Sequence, residues 1–393
     1  MGDVNRPLPT GGAASPGNVV AVLRDAGPLT RQQLQERLGV SRATLVERLD
    51  TLQRLRMVRT AGHHASSGGR RAALLEADRT SRVAVVAWLG ASHMSVGVVD
   101  LAGKVLVDHT ERLPLGHTPS DVQPWLVDTA RKQLATTGRT GDLAAVGMAV
   151  PGQIDQTTGV SIVPATMTAW RDQPLRDALA DGLGVEEVLL ENDANALAYG
   201  EYLAAGRRQS TVLGVAVGTG IGAGVVVGGQ PHQGATGCAG EIGHIRIEGH
   251  DERCSCGRRG CVAALASGKA LIRQLRGDGV RSLPDVIRRV ESGAPNAVAL
   301  ATDAGRLVGT VLATVVTILN PHMVRVGGEI GALAPFRAGL AETLRQQAHE
   351  VAAQGLDVGP AVLGERAPLV GMAGLAAEAV FDPAAIDRLA ARP

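Results

Sequence analysis

The sequence predicts an α/β chain in which a duplicated two-lobed body follows a small winged helix-turn-helix domain. Three observations carry that expectation. A glycine-turned strand pattern occupies 83–106 and recurs at 211–230. Residues 27–58 have the rhythm of two short capped helices. The stretch "CSCGRRGC" at 254–261 holds three of the four cysteines in the chain.

With 393 residues and 45% hydrophobic side chains, the chain is long and apolar enough for a globular protein of two or three domains. Residues 1–17, "MGDVNRPLPTGGAASPG", contain no apolar stretch of the kind a secretion signal needs, and a flexible tail is expected there. The longest apolar run, 212–229, is interrupted by glycines and alternates with period two, which predicts two strands and a tight turn, not a membrane helix. Clustered cysteines do not make a secreted disulfide framework. The expectation is a cytoplasmic protein with no membrane partner.

Charge is unevenly distributed. Residues 1–80 carry 12 arginines and no lysine against 7 acidic residues, while the remainder carries 27 basic against 31 acidic. A basic front on a mildly acidic body suits a polyanion-binding module, although a solvated basic face would look the same. The helical rhythm sharpens the reading. Thr30 is a candidate N-cap with Gln33 three residues on, and Leu34 and Leu38 share a face. Gly39 can take the left-handed position that ends the first helix. Ser41 caps the second, whose buried stripe is Leu45, Leu49 and Leu52. That leaves Ser41, Arg42, Thr44 and Arg48 to meet double-stranded DNA in the major groove. A helical hairpin that only packs is the alternative. After Val58, a strand, a polar tip and a return strand would form a wing. Arg70 and Arg71 at its end suit a minor groove, and His63 and His64 near the tip are ligands or plain loop residues. Residues 18–80 are expected to be this domain and its linker, and 81–393 the body.

Within the body, two strand–turn–strand units followed by helices predict duplicated halves around a cleft. Between them, "VLLENDANALAYGE" delivers Asn192 and Asp193 to a strand end where a helix starts. Asp193 either accepts hydroxyl protons in the cleft or simply caps that helix. The metal motif is His244-x9-Cys254-x-Cys256-x4-Cys261, a Cys3His set matched to tetrahedral zinc, one per chain. Four protein ligands leave no open position, so such a zinc is structural. His250 rivals His244 as the fourth ligand, and Cys238 falls outside the spacing, as a small buried residue would. Anchoring His244 would aim Glu241, three residues earlier, into the cleft.

These motifs, in this order, resemble the ROK family of repressors, open reading frames and sugar kinases. "LGAS", "ENDANA", "GTGIGAG", "GEIGH" and "CSCGRRGC" stand where the family has its first phosphate turn, its Asn-Asp segment, its second glycine turn, its Glu-x-Gly-His segment and its zinc loop, over about 83–380. The resemblance implies an actin-like, hexokinase-like (RNase H-like) body with its zinc loop at 244–261. It also implies a homodimer or dimer of dimers. Members with a winged arm are implied to be transcriptional regulators, often repressors of carbohydrate genes, that bind an inverted-repeat operator and respond to a sugar or sugar phosphate. Asn192, Asp193, Glu241 and His244 are the implied ligand contacts.

Departures from the family pattern bear on activity. Trp88 stands where the kinases keep an aspartate, and Ala91 breaks the first phosphate turn. Ala165-Thr166-Met167 replaces the sugar-contacting Pro-Asn-Leu before Trp170, and Ala263 replaces a sugar-contacting glutamate. Asp193, the kinases' general base, is then vestigial, and no enzyme activity is expected. The competing expectations are an ATP-dependent sugar kinase with a DNA-binding arm, and a constitutive regulator or scaffold that has lost ligand binding.

Overall fold

A computed structural model describes residues 15–63, 72–114, 116–163 and 167–392. The arm runs α1 (Pro16–Ala26), β1 (Leu29–Thr30), α2 (Arg31–Leu38), α3 (Arg42–Arg54), β2 (Val58–His63) and β3 (Ala73–Ala77). Its caps are those the sequence predicts. Thr30 and Gln33 form a capping box, Gly39 ends α2 at φ 65°, and the Ser41 side chain accepts from the Thr44 N–H. The strands form an antiparallel sheet ordered β1-β3-β2, so the domain is a winged helix-turn-helix. Arg70, Arg71 and His64 lie outside the described residues.

Lobe one holds β4 (Val83–Leu89), β5 (His93–Asp100), β6 (Val105–Arg112), α4 (Pro119–Thr136), β7 (Leu143–Val150), the hairpin β8 (Gln153–Asp155) and β9 (Val160–Val163), α5 (Leu175–Leu183) and β10 (Val188–Asn192). Helix α6 (Asp193–Ala204) leads into lobe two. There follow β11 (Thr211–Val217), β12 (Ile221–Val227), β13 (Gln230–Pro231), α7 (Val262–Ala266), α8 (Gly268–Gln274), α9 (Leu283–Glu291), α10 (Pro295–Leu319), β14 (Met323–Gly327), α11 (Ala334–Gln347), α12 (Glu350–Ala353) and β15 (Asp357–Pro360). The sheets are ordered β10-β7-β4-β5-β6 and β13-β12-β11-β14-β15. Each is an antiparallel three-strand meander extended by two parallel strands, so the lobes share one topology, as duplication predicts.

Helix α13 (Ala367–Val380) returns to cover β4 and β7 and crosses α6 between the lobes. Glycines set the distance of that crossing. A Cβ on Gly371 would lie 1.9 Å from the Ala196 carbonyl oxygen, and one on Gly200 2.2 Å from that of Ala367. The two backbones therefore touch, and either helix can shift only with the other.

The arm is not loosely tethered. Val19, Val20 and Leu23 of α1, Leu49 and Leu52 of α3, Leu369 and Met372 of α13, and Ile386 of α14 (Pro383–Ala390) belong to one continuous apolar core with β4 and β7 of lobe one. The Gly17 N–H donates to Asp387 Oδ1 at 2.7 Å, and a Cβ on Gly17 would sit 2.1 Å from the Pro383 oxygen. This corrects the expected boundary: Pro16 and Gly17 belong to α1, not to a tail. Arg56 of the arm and Arg139 of the body converge on Asp142 at 2.7 and 2.8 Å, clamping the 78–82 connection. Among the described residues α10 alone is long and apolar enough to cross a membrane, and its Ala301, Val308, Leu312 and Val316 are buried in the core of lobe two.

Candidate sugar cleft, metal site and DNA face

Strands β4, β7 and β10 are parallel, so all three open on the same edge of lobe one, facing lobe two. A cavity of about 300 Å³ lies there. Asn192, Asp193, Glu241 and His244 all line it, as does Trp88. The structure separates two roles that the sequence left open. Asn192 is the helix cap: its Oδ1 accepts from the Ala194 and Asn195 N–H groups, and its Nδ2 donates to the Gly152 oxygen at 2.9 Å. Asp193, in the first turn of α6, shares the Ala194 N–H through Oδ1 at 3.0 Å and lines the cleft. Burial pushes its carboxyl up to about 7, and the Glu241 carboxylate adds to the rise. Glu241 is itself raised by burial, with His244 opposing. The pair suits a ligand that brings hydroxyl donors.

Neighbours that sequence reasoning missed hold Asn192 and the first glycine turn. Buried Glu191 accepts from the Asn195 side chain at 2.9 Å and from Gln233, which reaches across from lobe two, at 2.7 Å. Buried His117 contacts the Gly90 carbonyl through Nε2 at 3.1 Å, while Trp170 Nε1 donates to its Nδ1. Nδ1 is then the acceptor, so Nε2 carries the proton and donates to Gly90. No local sequence pattern announces either contact.

The four predicted metal-ligating residues converge. One ligand atom from each of His244, Cys254, Cys256 and Cys261 lies within 4.8 Å of the others. Cys256 and Cys261 sulfurs are 3.8 Å apart, the edge expected of a tetrahedron with zinc–sulfur bonds of about 2.3 Å. His244 turns Nδ1 toward Cys254 Sγ at 3.5 Å and Nε2 toward Glu241 at 3.8 Å. A histidine ligand backed by a carboxylate is the usual second layer of such a site. Burial and the neighbouring thiols push Cys261 up to about 12, a cost that a divalent cation reverses. The residues therefore fit a tetrahedral thiophilic ion. His250 is outside the cluster and faces Glu252 at 3.5 Å. Cys238 is exposed, not buried as its place outside the motif suggested, because the loop 234–240 carries it at the surface.

On the arm, Arg42 is exposed at the start of α3, and Thr44 and Arg48 are half-buried. Ser41 caps α3 and its hydroxyl lies 2.8 Å from that of Thr44. Ala43 and Glu47 are more exposed than Thr44 and Arg48, so the outward face includes two residues that the sequence reading omitted.

The ROK family model matches residues 86–379. The chain belongs to the ROK family. Its curated ROK relatives include the xylose repressor of Bacillus subtilis, 27% identical over 359 residues, covering 90% of this chain and 92% of the repressor. The glucokinase of Streptomyces coelicolor is 30% identical over 323 residues, covering 74% of this chain and 96% of the kinase. The repressor match is too long to be confined to the body and runs into the arm. Among solved structures, a ROK family transcriptional regulator described as a homolog of the E. coli MLC protein superposes with a TM-score of 0.78 at 23% identity, covering 95% of this chain and 98% of its own. The ROK hexokinase of Thermus thermophilus gives 0.64 at 32% identity over 76% of this chain and 99% of its own. The ROK fold predicted from the motifs is thus the fold observed, in its arm-bearing form.

Proposed function

We propose that this ROK protein is a sugar-responsive transcriptional repressor of carbohydrate-related genes, with one structural zinc and a cleft that binds without phosphorylating. The observation that carries the reading is the arm: a capped recognition helix and wing fused into one core with the sugar-kinase-like body. The similarity to repressors over nine-tenths of the chain supports it.

Zinc would be held by His244 Nδ1 and the three thiolates, and it would supply shape, not chemistry. It fixes the loop between Glu241 and Ala263, so Glu241 keeps its aim. Asp193 and Glu241 accept ligand hydroxyls. Phosphoryl transfer needs a metal-bound triphosphate positioned in line, and Trp88 offers no anion for that metal. Ligand favours one closure of the lobes, and the α6–α13 crossing carries the change to α14 and the arm. The protein works in the cytoplasm as a homodimer or dimer of dimers on an inverted repeat. Ser41, Arg42, Thr44 and Arg48 meet the major groove, and Arg70 and Arg71 the minor groove.

Footprinting on the DNA upstream of its own gene, with a parallel assay for ATP-dependent phosphorylation of hexoses, tests the reading. Protection of an inverted repeat with no phosphorylation supports it. Sugar phosphorylation would instead establish a kinase with a DNA-binding arm.

A further inference from the structure

The cavity is longer than one sugar ring. Asn192 and Trp88 end strands two apart in the sheet order, so they stand roughly 10 Å from each other along the cleft edge. A pyranose seated on Asp193 and Glu241 leaves the Trp88 end of the cavity unfilled. That end has its own lining. Trp88 and His93 stand on lobe one with ring centroids 4.4 Å apart. Glu329, on the turn after β14 in lobe two, and Glu365, on the turn before α13, line the same end of the cavity. Among the described residues neither glutamate makes a hydrogen bond or an ion pair.

This lining is wrong for a nucleotide. Two neighbouring carboxylates, offset only in part by Arg112, disfavour phosphate oxygens, and the indole of Trp88 cannot replace the anion that a bound metal needs. It is right for a neutral polyol. Carboxylates accept hydrogen bonds from hydroxyls, and an indole presents a flat apolar face for a sugar ring. We propose that the Trp88 end of the cleft is a second glycosyl subsite, so that the effector is a neutral disaccharide whose outer ring lies against Trp88 and hydrogen-bonds to Glu329 and Glu365. This rests on reading the cleft as a sugar sensor.

Lys269 lines the same cavity beside the Gly218–Thr219 turn, with no ion pair among the described residues. It offers the competing attraction, toward a phosphorylated sugar, and the experiment includes that arm. Isothermal titration of the full-length, zinc-loaded protein would use maltose, cellobiose, xylobiose, lactose and sucrose. Glucose, xylose, galactose, fructose and glucose 6-phosphate would be titrated beside them. One disaccharide should bind at least about tenfold more tightly than either of its component sugars, the gain expected from one or two added hydrogen bonds to charged acceptors. Trp88→Ala and Glu329→Gln should each collapse that ratio, and Trp88→Phe, which keeps an aromatic plane, should preserve most of it. A single sugar binding as tightly as every disaccharide overturns the proposal and leaves the sensor reading standing. Tightest binding of glucose 6-phosphate, lost in Lys269→Ala, overturns it in the same way. If no sugar binds, both fall together.

Discussion

Arg24 of the N-terminal arm pairs with Glu378 of α13 at 2.7 Å, across 354 positions of sequence. Arg207, just beyond the end of α6, reaches the same carboxylate at 2.9 Å. Burial alone would raise Glu378, but the two guanidinium groups outweigh it and hold the carboxyl below its ordinary range. Arg24 also lies 5.1 Å over the Phe381 ring. One carboxylate thus joins the arm, the helix that begins at Asp193, and the helix that crosses it.

Glu378→Gln should therefore loosen the arm while leaving the sugar contacts in place. Loss of a partly buried, doubly paired carboxylate costs about 1–3 kcal/mol. Denaturant unfolding measures that cost. The diagnostic readout is coupling: the ligand should bind nearly as before but shift operator affinity less than in the parent. Unchanged coupling would mean that the signal travels elsewhere.

Cys256→Ser should abolish stoichiometric zinc, because the remaining donors no longer close a tetrahedron, and should lower stability since binding is linked to folding. Elemental analysis of the purified protein gives about one zinc per chain on this account. Full retention of zinc by the serine variant would remove Cys256 from the ligand set.

Asp193 makes stability depend on pH with a definite sign. Its folded value of about 7 stands above the reference 3.8, so the folded state holds the proton more tightly than the unfolded one. Its contribution is complete below about pH 4 and is lost as pH rises through 7. Asp193→Asn should remove that decline. The stability it gains over the parent should be larger at pH 8 than at pH 5 by about 2–3 kcal/mol. Equal differences at both pH values would show that the carboxyl titrates normally. Sugar affinity should fall in the same variant.

Arg42→Ala should weaken operator binding by about 1–3 kcal/mol while changing affinity for random DNA much less. Equal losses on both would make Arg42 a phosphate contact only. Glu47, exposed one turn away, should tolerate alanine or even bind more tightly for want of an anion near the backbone.

The fold was legible where local chemistry decides it. Thr30, Gly39 and Ser41 announce their helix ends, and strand–glycine–strand units repeat because the lobes do. The candidate metal site was legible because three thiols within eight residues need no tertiary knowledge. Contacts set only by the crossing of distant elements were not. Gly17 against Pro383, Arg24 against Glu378, and Glu329 across from Trp88 have no signature in sequence neighbours. Asn192 and Asp193 show the middle case. The segment marked the site, but only the geometry told that Asn192 carries the main cap and that Asp193 lines the cleft.

The central claim is that a sugar in the cleft controls the arm on DNA. Fluorescence anisotropy of a labelled operator, titrated with the full-length protein with and without each candidate sugar, tests it most directly. The account predicts operator binding well above binding to random DNA, shifted about tenfold or more by one sugar, with the shift lost in Asp193→Ala. Specific binding that no sugar changes, and that Asp193→Ala leaves intact, would contradict it.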